Sequence, residues 1–300
     1  MRRVTQPPPN PPLLHGLTVD VEDWFHVLEV AQAPQPADWV KLESRVAHNT
    51  MRLLDLFDLH AAKATFFCLG WVAEQCPDLI AEIARRGHEL GSHGHLHQLV
   101  GHLGRDGFAK DLDLSLQALR KASGGDVHCF RAPGFSIGDD QTWAFEILQA
   151  RGITLDASLF LARRAHGGMV LQRQRPFDLV LPDGRALVEV PTVPRLVAGR
   201  ELPFSGGGYL RLLPWPVLRA CFDACERAQT PAIAYLHPRE IDPDQPRMAM
   251  SLRRRFKYYV GLDGTWAKLE QLLQRYHWGT LSQVVAATPK DRPVYVGQVA

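Results

Sequence analysis

Short apolar runs punctuate this chain, and longer stretches with helical spacing of apolar residues lie between them. This alternation limits the possible fold more than any other feature. The strand candidates are Leu14–Val21, Ala64–Leu69, His88–Ser92, Val127–Arg131, Ile153–Ser158, Ala186–Val190 and Ala232–His237. The spacing predicts helices over Ser44–His60, Pro77–Arg86, Arg105–Lys121, Asp139–Arg151, Pro214–Ala228 and Thr265–Tyr276. Val46, Met51, Leu54 and Phe57 line one side of the first helix, with Ser44 as its expected N-cap. Pro77 sits early in its helix, where a missing N–H does no harm, and Gly152 ends the fourth helix. Short strands joined by longer helices make β/α units on a parallel sheet. The expected fold is α/β, a closed or nearly closed barrel, with an open doubly wound sheet as the competitor. Either topology gathers ligand sites at the C-terminal ends of the strands.

The chain has 300 residues, 46% of them apolar, which is ample for a core. A net charge of +2 argues against a dedicated nucleic-acid binder. No apolar run is long enough for a membrane span. Residues 1–12 carry two arginines and a cluster of prolines but no apolar signal core, and read as an extended leader. The five cysteines are odd in number and scattered, and read as reduced thiols of a cytoplasmic protein. Cys221 and Cys225 share a helix face, where packing is the expected role.

Polar residues cluster where the strand candidates end. The first strand runs into Asp20, Glu22 and Asp23, and strand alternation puts Asp20 and Glu22 on one face. Two carboxylates side by side are costly to bury unless a cation or a shared proton offsets their repulsion. Of the 13 histidines, His88, His93, His95, His97 and His102 fall close together. His93 and His97 are four apart after a strand end, and a helical turn there would let both bind one metal. Two histidines and a carboxylate leave positions open for water and substrate. Arg131, at the next strand end, is placed to pair with an acid of the first strand. Asp156 ends the fifth strand candidate. His237 ends a later one and is a candidate general acid.

Taken in order, these segments resemble the polysaccharide deacetylases of the NodB-homology type, carbohydrate esterase family 4. TVDVED (18–23), SHGHLH (92–97), RAPGF (131–135), LDAS (155–158) and YLHP (235–238) are similar to the family's five motifs. The resemblance covers roughly 13–285, with a subgroup extension from about 204 and a tail at 286–300. DVEDWFHV, FSGGGYLRLLP and LHPREIDPDQPR are similar to a subgroup associated with exosortase and exopolysaccharide systems. The resemblance implies a deformed (β/α) barrel with fewer than eight regular strands. It implies a divalent metal, zinc before cobalt or nickel, held by His93, His97 and an acid. Asp20 is the implied base, Arg131 its orienting partner and His237 the acid. Asp156 is the implied partner of His237 or Arg131. The family's usual pair of adjacent aspartates is broken by Val21, so Glu22 is the expected metal acid, with Asp23 as its competitor.

The implied reaction removes N-acetyl groups from an N-acetylated polysaccharide or oligosaccharide, a bacterial exopolysaccharide or its lipid-linked precursor, and releases acetate. The Gly134 N–H is a candidate oxyanion donor. Trp24, Tyr209 and Trp215 are candidate sugar platforms, and Gly206–Gly208 a candidate groove turn, with core packing as the aromatics' competing role. Hydrolysis of small cyclic amides (allantoinase-like) is one alternative, and an inactive sugar-binding module is another. The basic run Arg253, Arg254, Arg255 and Lys257 reads as a solvated face, with peripheral attachment at the inner face of the membrane as its competitor.

Overall fold

The central parallel strands are covered on both faces, and Thr65–Cys68 is buried along its whole length. The computed structural model describes residues 12–296 except 29, 31, 163–165 and 198. The expected leader therefore lies outside the described residues apart from Pro12. In chain order the elements are β1 (Leu14–Val21), α1 (Val46–Leu59), β2 (Thr65–Cys68), α2 (Gly70–Gln75), α3 (Pro77–Arg85), β3 (Glu89–Ser92) and α4 (Val100–Ser123). Then come β4 (Cys129–Phe130), α5 (Trp143–Ala150), β5 (Leu155–Asp156), β6 (Phe177–Val180), β7 (Ala186–Glu189), β8 (Arg195–Val197) and β9 (Arg200–Leu202). The chain ends with α6 (Gly207–Leu212), α7 (Trp215–Ala228), β10 (Ile233–Leu236), α8 (Leu252–Tyr259), α9 (Thr265–Arg275), β11 (His277–Gly279), α10 (Leu281–Ala287) and β12 (Val294–Tyr295).

The main sheet runs β10-β1-β2-β3-β4-β5-β7-β6-β12, with β11 beside the start of β1. Every pairing is parallel except β6 with β7. No ladder joins β10 to β12 among the described residues, so the barrel is deformed and left open. The residues assigned to a tail supply β12, which pairs with β6. The helix expected from Arg105 starts at Val100 instead, because Gly104, at φ 64°, interrupts the periodicity inside α4.

Alternation along each strand builds two cores. Val19, Val21, Phe66 and Cys68 point outward to the helices, where Leu53, Phe57, Ile80, Leu112 and Leu116 bury them. Phe67, Cys129, Leu155 and Ile233 point inward and fill the barrel beneath the strand ends. Gly91 is required here, since a Cβ would lie 2.5 Å from the Phe67 ring. Burying each large apolar side chain contributes roughly 1.5–3 kcal/mol, so this inner plug gives the polar residues above it a rigid floor.

Candidate active site

The parallel register brings Asp20, His93, Arg131, Asp156, Glu189 and His237 to one end of the sheet, at or just past the strand termini. Glu22 follows directly after β1 and is buried. Its Oε1 is 2.9 Å from His97 Nε2, 3.1 Å from His93 Nε2 and 3.8 Å from His237 Nε2. Burial pushes this carboxyl up, but the neighbouring His97, His237 and His93 imidazoles outweigh it and hold it well below the usual range.

His93 Nδ1 lies 2.7 Å from the Arg131 carbonyl oxygen, so that ring position carries the hydrogen and Nε2 turns its lone pair toward Glu22. His97 Nε2 is buried and has no well-aligned hydrogen-bond partner. The ligand atoms of Glu22, His93 and His97 all lie within 4.8 Å of one another. Lone pairs from two imidazoles facing one carboxylate fit a divalent cation, and this is the donor set of an open zinc site.

The two histidines do not sit on a helical turn as their spacing suggested. They stand on a loop with left-handed backbone at Gly94 (φ 75°) and His97 (φ 51°). Asp111 of α4 grips that loop, accepting from His95 N at 2.7 Å and Leu96 N at 3.2 Å. A side chain at Gly94 would meet the same carboxylate at 2.8 Å. His95 points away toward Glu74, and His88 accepts from Ala64 N within the outer core.

Asp23 is turned elsewhere. Its Oδ1 accepts from Trp24 N, while Oδ2 accepts from Ser44 Oγ at 2.6 Å, Arg45 N at 2.9 Å and Val46 N at 3.2 Å. It caps α1 from a distance, a role the sequence reading gave to Ser44. With both oxygens engaged it has none to offer a metal beside Glu22.

Asp20 Oδ1 accepts from Arg131 NH1 at 2.8 Å, and its Oδ2 lies 3.9 Å from His237 Nε2. Arg131 is fully buried, stacked over Phe67 with its guanidinium carbon 4.3 Å from the ring centroid, and also donates to Thr18 Oγ1 and the Ala157 carbonyl. Asp156 partners neither His237 nor Arg131 by a hydrogen bond. It accepts from Ser158 Oγ at 2.7 Å and faces Glu189. Burial and Asp156 push Glu189 well above the carboxylate range, and burial raises Asp156, so the pair shares a proton.

The carboxylate beside His237 is Glu240. Its Oε2 accepts from His237 N at 3.1 Å and lies 3.4 Å from His237 Nδ1. Arg211 of α6 donates to the other oxygen at 2.8 Å, and both side chains are buried. Burial lowers His237, but Glu22 and Glu240 outweigh that and raise it. The sequence reading missed Glu240 and Arg211, although a Glu three residues past a strand-end His and its Pro is a capping signal.

Trp24 is half-buried and donates its indole N–H to the Glu43 carbonyl. Tyr209 is half-buried on α6, and Trp215 packs against the outer core. Gly134 has φ 63°, and a side chain there would meet Leu28 at 2.8 Å. Gly206 and Gly207 let the backbone approach the Tyr235 ring, where a Cβ on Gly206 would lie 2.3 Å away, so they serve packing rather than a groove.

Two family profiles match. Residues 39–153 match the polysaccharide deacetylases, and 157–286 match a domain of unknown function, DUF3473. His93, His97 and Arg131 fall in the first, Glu189, Arg211, His237 and Glu240 in the second, and Asp20 and Glu22 precede both. A peptidoglycan-N-acetylglucosamine deacetylase of Bacillus cereus is 26% identical over 141 residues, 42% of this chain and 51% of that protein. A bifunctional xylanase/deacetylase of Pseudobutyrivibrio xylanivorans is 26% identical over 30% of this chain and 15% of its own length. The chain thus spans about half or less of the curated relatives it matches. Among solved structures, a Mycobacterium smegmatis protein classed with the polysaccharide deacetylases superposes with a TM-score of 0.63 at 20% identity, covering 96% of both chains. The allantoinase Puue gives 0.61 at 14% identity over 93% of both. These two establish a shared fold. The profile match over 39–153 and the curated relatives agree with the order of the motifs, and together they support a NodB-type polysaccharide deacetylase.

Proposed function

We propose that this chain is a metal-dependent N-deacetylase acting on N-acetylhexosamine residues of a glycan. The observation that carries the reading is the convergence of Glu22 with His93 and His97 on one side, and with Asp20 and His237 on the other. Glu22, His93 and His97 are the residues that would hold the metal, zinc by donor chemistry. When bound, such an ion polarises an amide carbonyl and lowers the pKa of water.

The chain's own residues supply the proton transfers. Asp20, fixed in place by Arg131, takes a proton from the water that attacks the acetamide carbon. His237 gives a proton to the departing amine nitrogen, because an amide anion is a very poor leaving group. Glu240 orients the imidazole through Nδ1 so that Nε2 faces the reacting atoms, and Arg211 holds Glu240. The products are acetate and a free amino sugar. Val21, where the usual motif has an aspartate, points into the outer core, and Glu22 fills the position at the site.

The segments at 20–27, 204–214 and 236–247 support a bacterial exopolysaccharide or its lipid-linked precursor as substrate. Five free cysteines suit a reducing, cytoplasmic setting. The catalytic unit we assign is 13–285, with both profile regions contributing to one site.

The test is metal content and acetate release from N-acetylglucosamine oligomers, with a cyclic amide as the competing substrate. Turnover of the oligomer by the metal-loaded chain, lost in His93→Ala together with the metal, supports the reading. Full metal content and activity in His93→Ala, or turnover of the cyclic amide alone, overturns it.

A further inference from the structure

The basic run lies on α8, whose exposed side chains are not all polar. Leu252 is 83% exposed and Phe256 is 56% exposed, and no residue of the helix is buried. At about 100° per residue these two side chains stack one turn apart on one crest. The same geometry puts Arg255 along one flank and Arg253, then Lys257, along the other. All three are exposed, and the half-buried Arg254 and Tyr258 lie on the far side. Tyr258 packs beneath the Arg239 guanidinium at 4.9 Å.

No acidic residue occurs between Arg247 and Tyr259. Among the described residues no carboxylate pairs with Arg253, Arg255 or Lys257. We propose that α8 is a docking helix that seats this chain on an anionic lipid bilayer.

The charge pattern selects that occupant. A crest of Leu and Phe rimmed by long basic side chains matches the boundary where acyl chains meet phosphates. The crest enters the apolar layer while the cations reach the headgroups. A second copy of this chain fits poorly, since it would press identical cations together around the crest. A purely polyanionic partner would leave the Leu and Phe without a counterpart.

The helix is also fastened to the catalytic end of the fold. Arg211 donates to the Lys257 and Val260 carbonyls at 2.8 Å each, with the same guanidinium that holds Glu240. A docked α8 therefore holds the mouth of the site close to the lipid surface. This inference goes beyond the hydrolase reading and does not depend on it.

The experiment sediments the full chain with large vesicles of phosphatidylcholine, alone or mixed with phosphatidylglycerol. We expect about 100-fold tighter binding to the mixed vesicles, weakened by salt. Leu252→Ser with Phe256→Ser should lose about 100-fold of that affinity. Arg253→Gln with Arg255→Gln and Lys257→Gln should abolish the preference for phosphatidylglycerol. Circular dichroism should show both variants melting as the parent does. Equal binding to the two vesicles, or to neither, overturns the proposal. So does a serine variant that binds like the parent, or an oligomer that the serine variant breaks apart while vesicles capture nothing.

Discussion

Glu240 reaches His237 at two points, accepting from its backbone N–H at 3.1 Å and standing 3.4 Å from its Nδ1 with the same oxygen. Removing that charge should impair proton delivery to a leaving amine more than any other step. Glu240→Gln is expected to lower turnover of an N-acetylated oligosaccharide about 100-fold, within the usual span for a general acid. An aryl acetate, whose phenolate leaves unprotonated, should lose less than about threefold. Equal losses on both substrates would show that Glu240 merely supports the fold.

The Asp20–Arg131 pair is buried on both sides. Arg131→Met should therefore cost about 3–5 kcal/mol, because it strands the Asp20 carboxylate in an apolar setting. Arg131→Met combined with Asp20→Leu should cost less than Arg131→Met alone. Urea unfolding of the two single variants and the double variant measures the difference, and strictly additive losses would rule the coupling out.

We assign Glu22 and its neighbour Asp23 separate duties, and metal analysis should divide them. Glu22→Gln and His97→Ala are expected to lose bound metal. Asp23→Asn should keep the metal and lose about 1–2 kcal/mol of stability through the weakened cap on α1. Loss of metal in Asp23→Asn with stability unchanged would reverse the assignment.

His15 is a pH prediction away from the site. Its Nδ1 accepts from Ala232 N at 3.0 Å, and its buried ring is held down at about 4, mainly by desolvation with a smaller push from His277. The unfolded chain takes up a proton near pH 6.5, before the folded chain does. The stabilising difference is thus fully present above about pH 6.5 and is lost as pH falls toward about 4. Between pH 7 and 5 the loss should be about 2 kcal/mol. Denaturant titrations of the parent and His15→Asn should differ by this amount, with the steeper loss in the parent.

Glu189 is predicted to tolerate its amide. Pushed well above the usual carboxylate range by burial and Asp156, it should accept Glu189→Gln within about 1 kcal/mol, since Gln keeps an acceptor for Leu159 N. Glu189→Leu should cost about 1–3 kcal/mol by leaving Leu159 N without its acceptor. Melting curves compare them, and a Gln variant as unstable as the Leu variant would contradict the shared proton.

Much of this site was legible because parallel strands deliver their final residues to one place. Asp20, His93, Arg131 and His237 could be picked out from apolar runs that stop in polar residues. Glu22 followed from strand alternation past Val21. What could not be read was whatever depends on tertiary approach. Arg211 meets Glu240 only after α6 has packed against β10 through the glycines at 206 and 207. Asp111 grips the histidine loop from within α4. Nor could the sequence separate Asp23 from Glu22, because Asp23 points to a different helix in space. The short helices α2, α6, α8 and α10 and the short strands β6, β11 and β12 carry too few residues to show a period.

The pairing of β1 with β10 joins stretches of chain so distant that Thr18 donates to Ala234, 216 residues further on. A ribosome making this protein would finish Asp20 and Glu22 long before it reached His237. Until then the nascent polypeptide would hold its carboxylates without His237, and β1 would lack one neighbour. The proposed amide hydrolysis would therefore have to wait until β10 has been made, and a fragment clipped before β10 would lack the proposed acid.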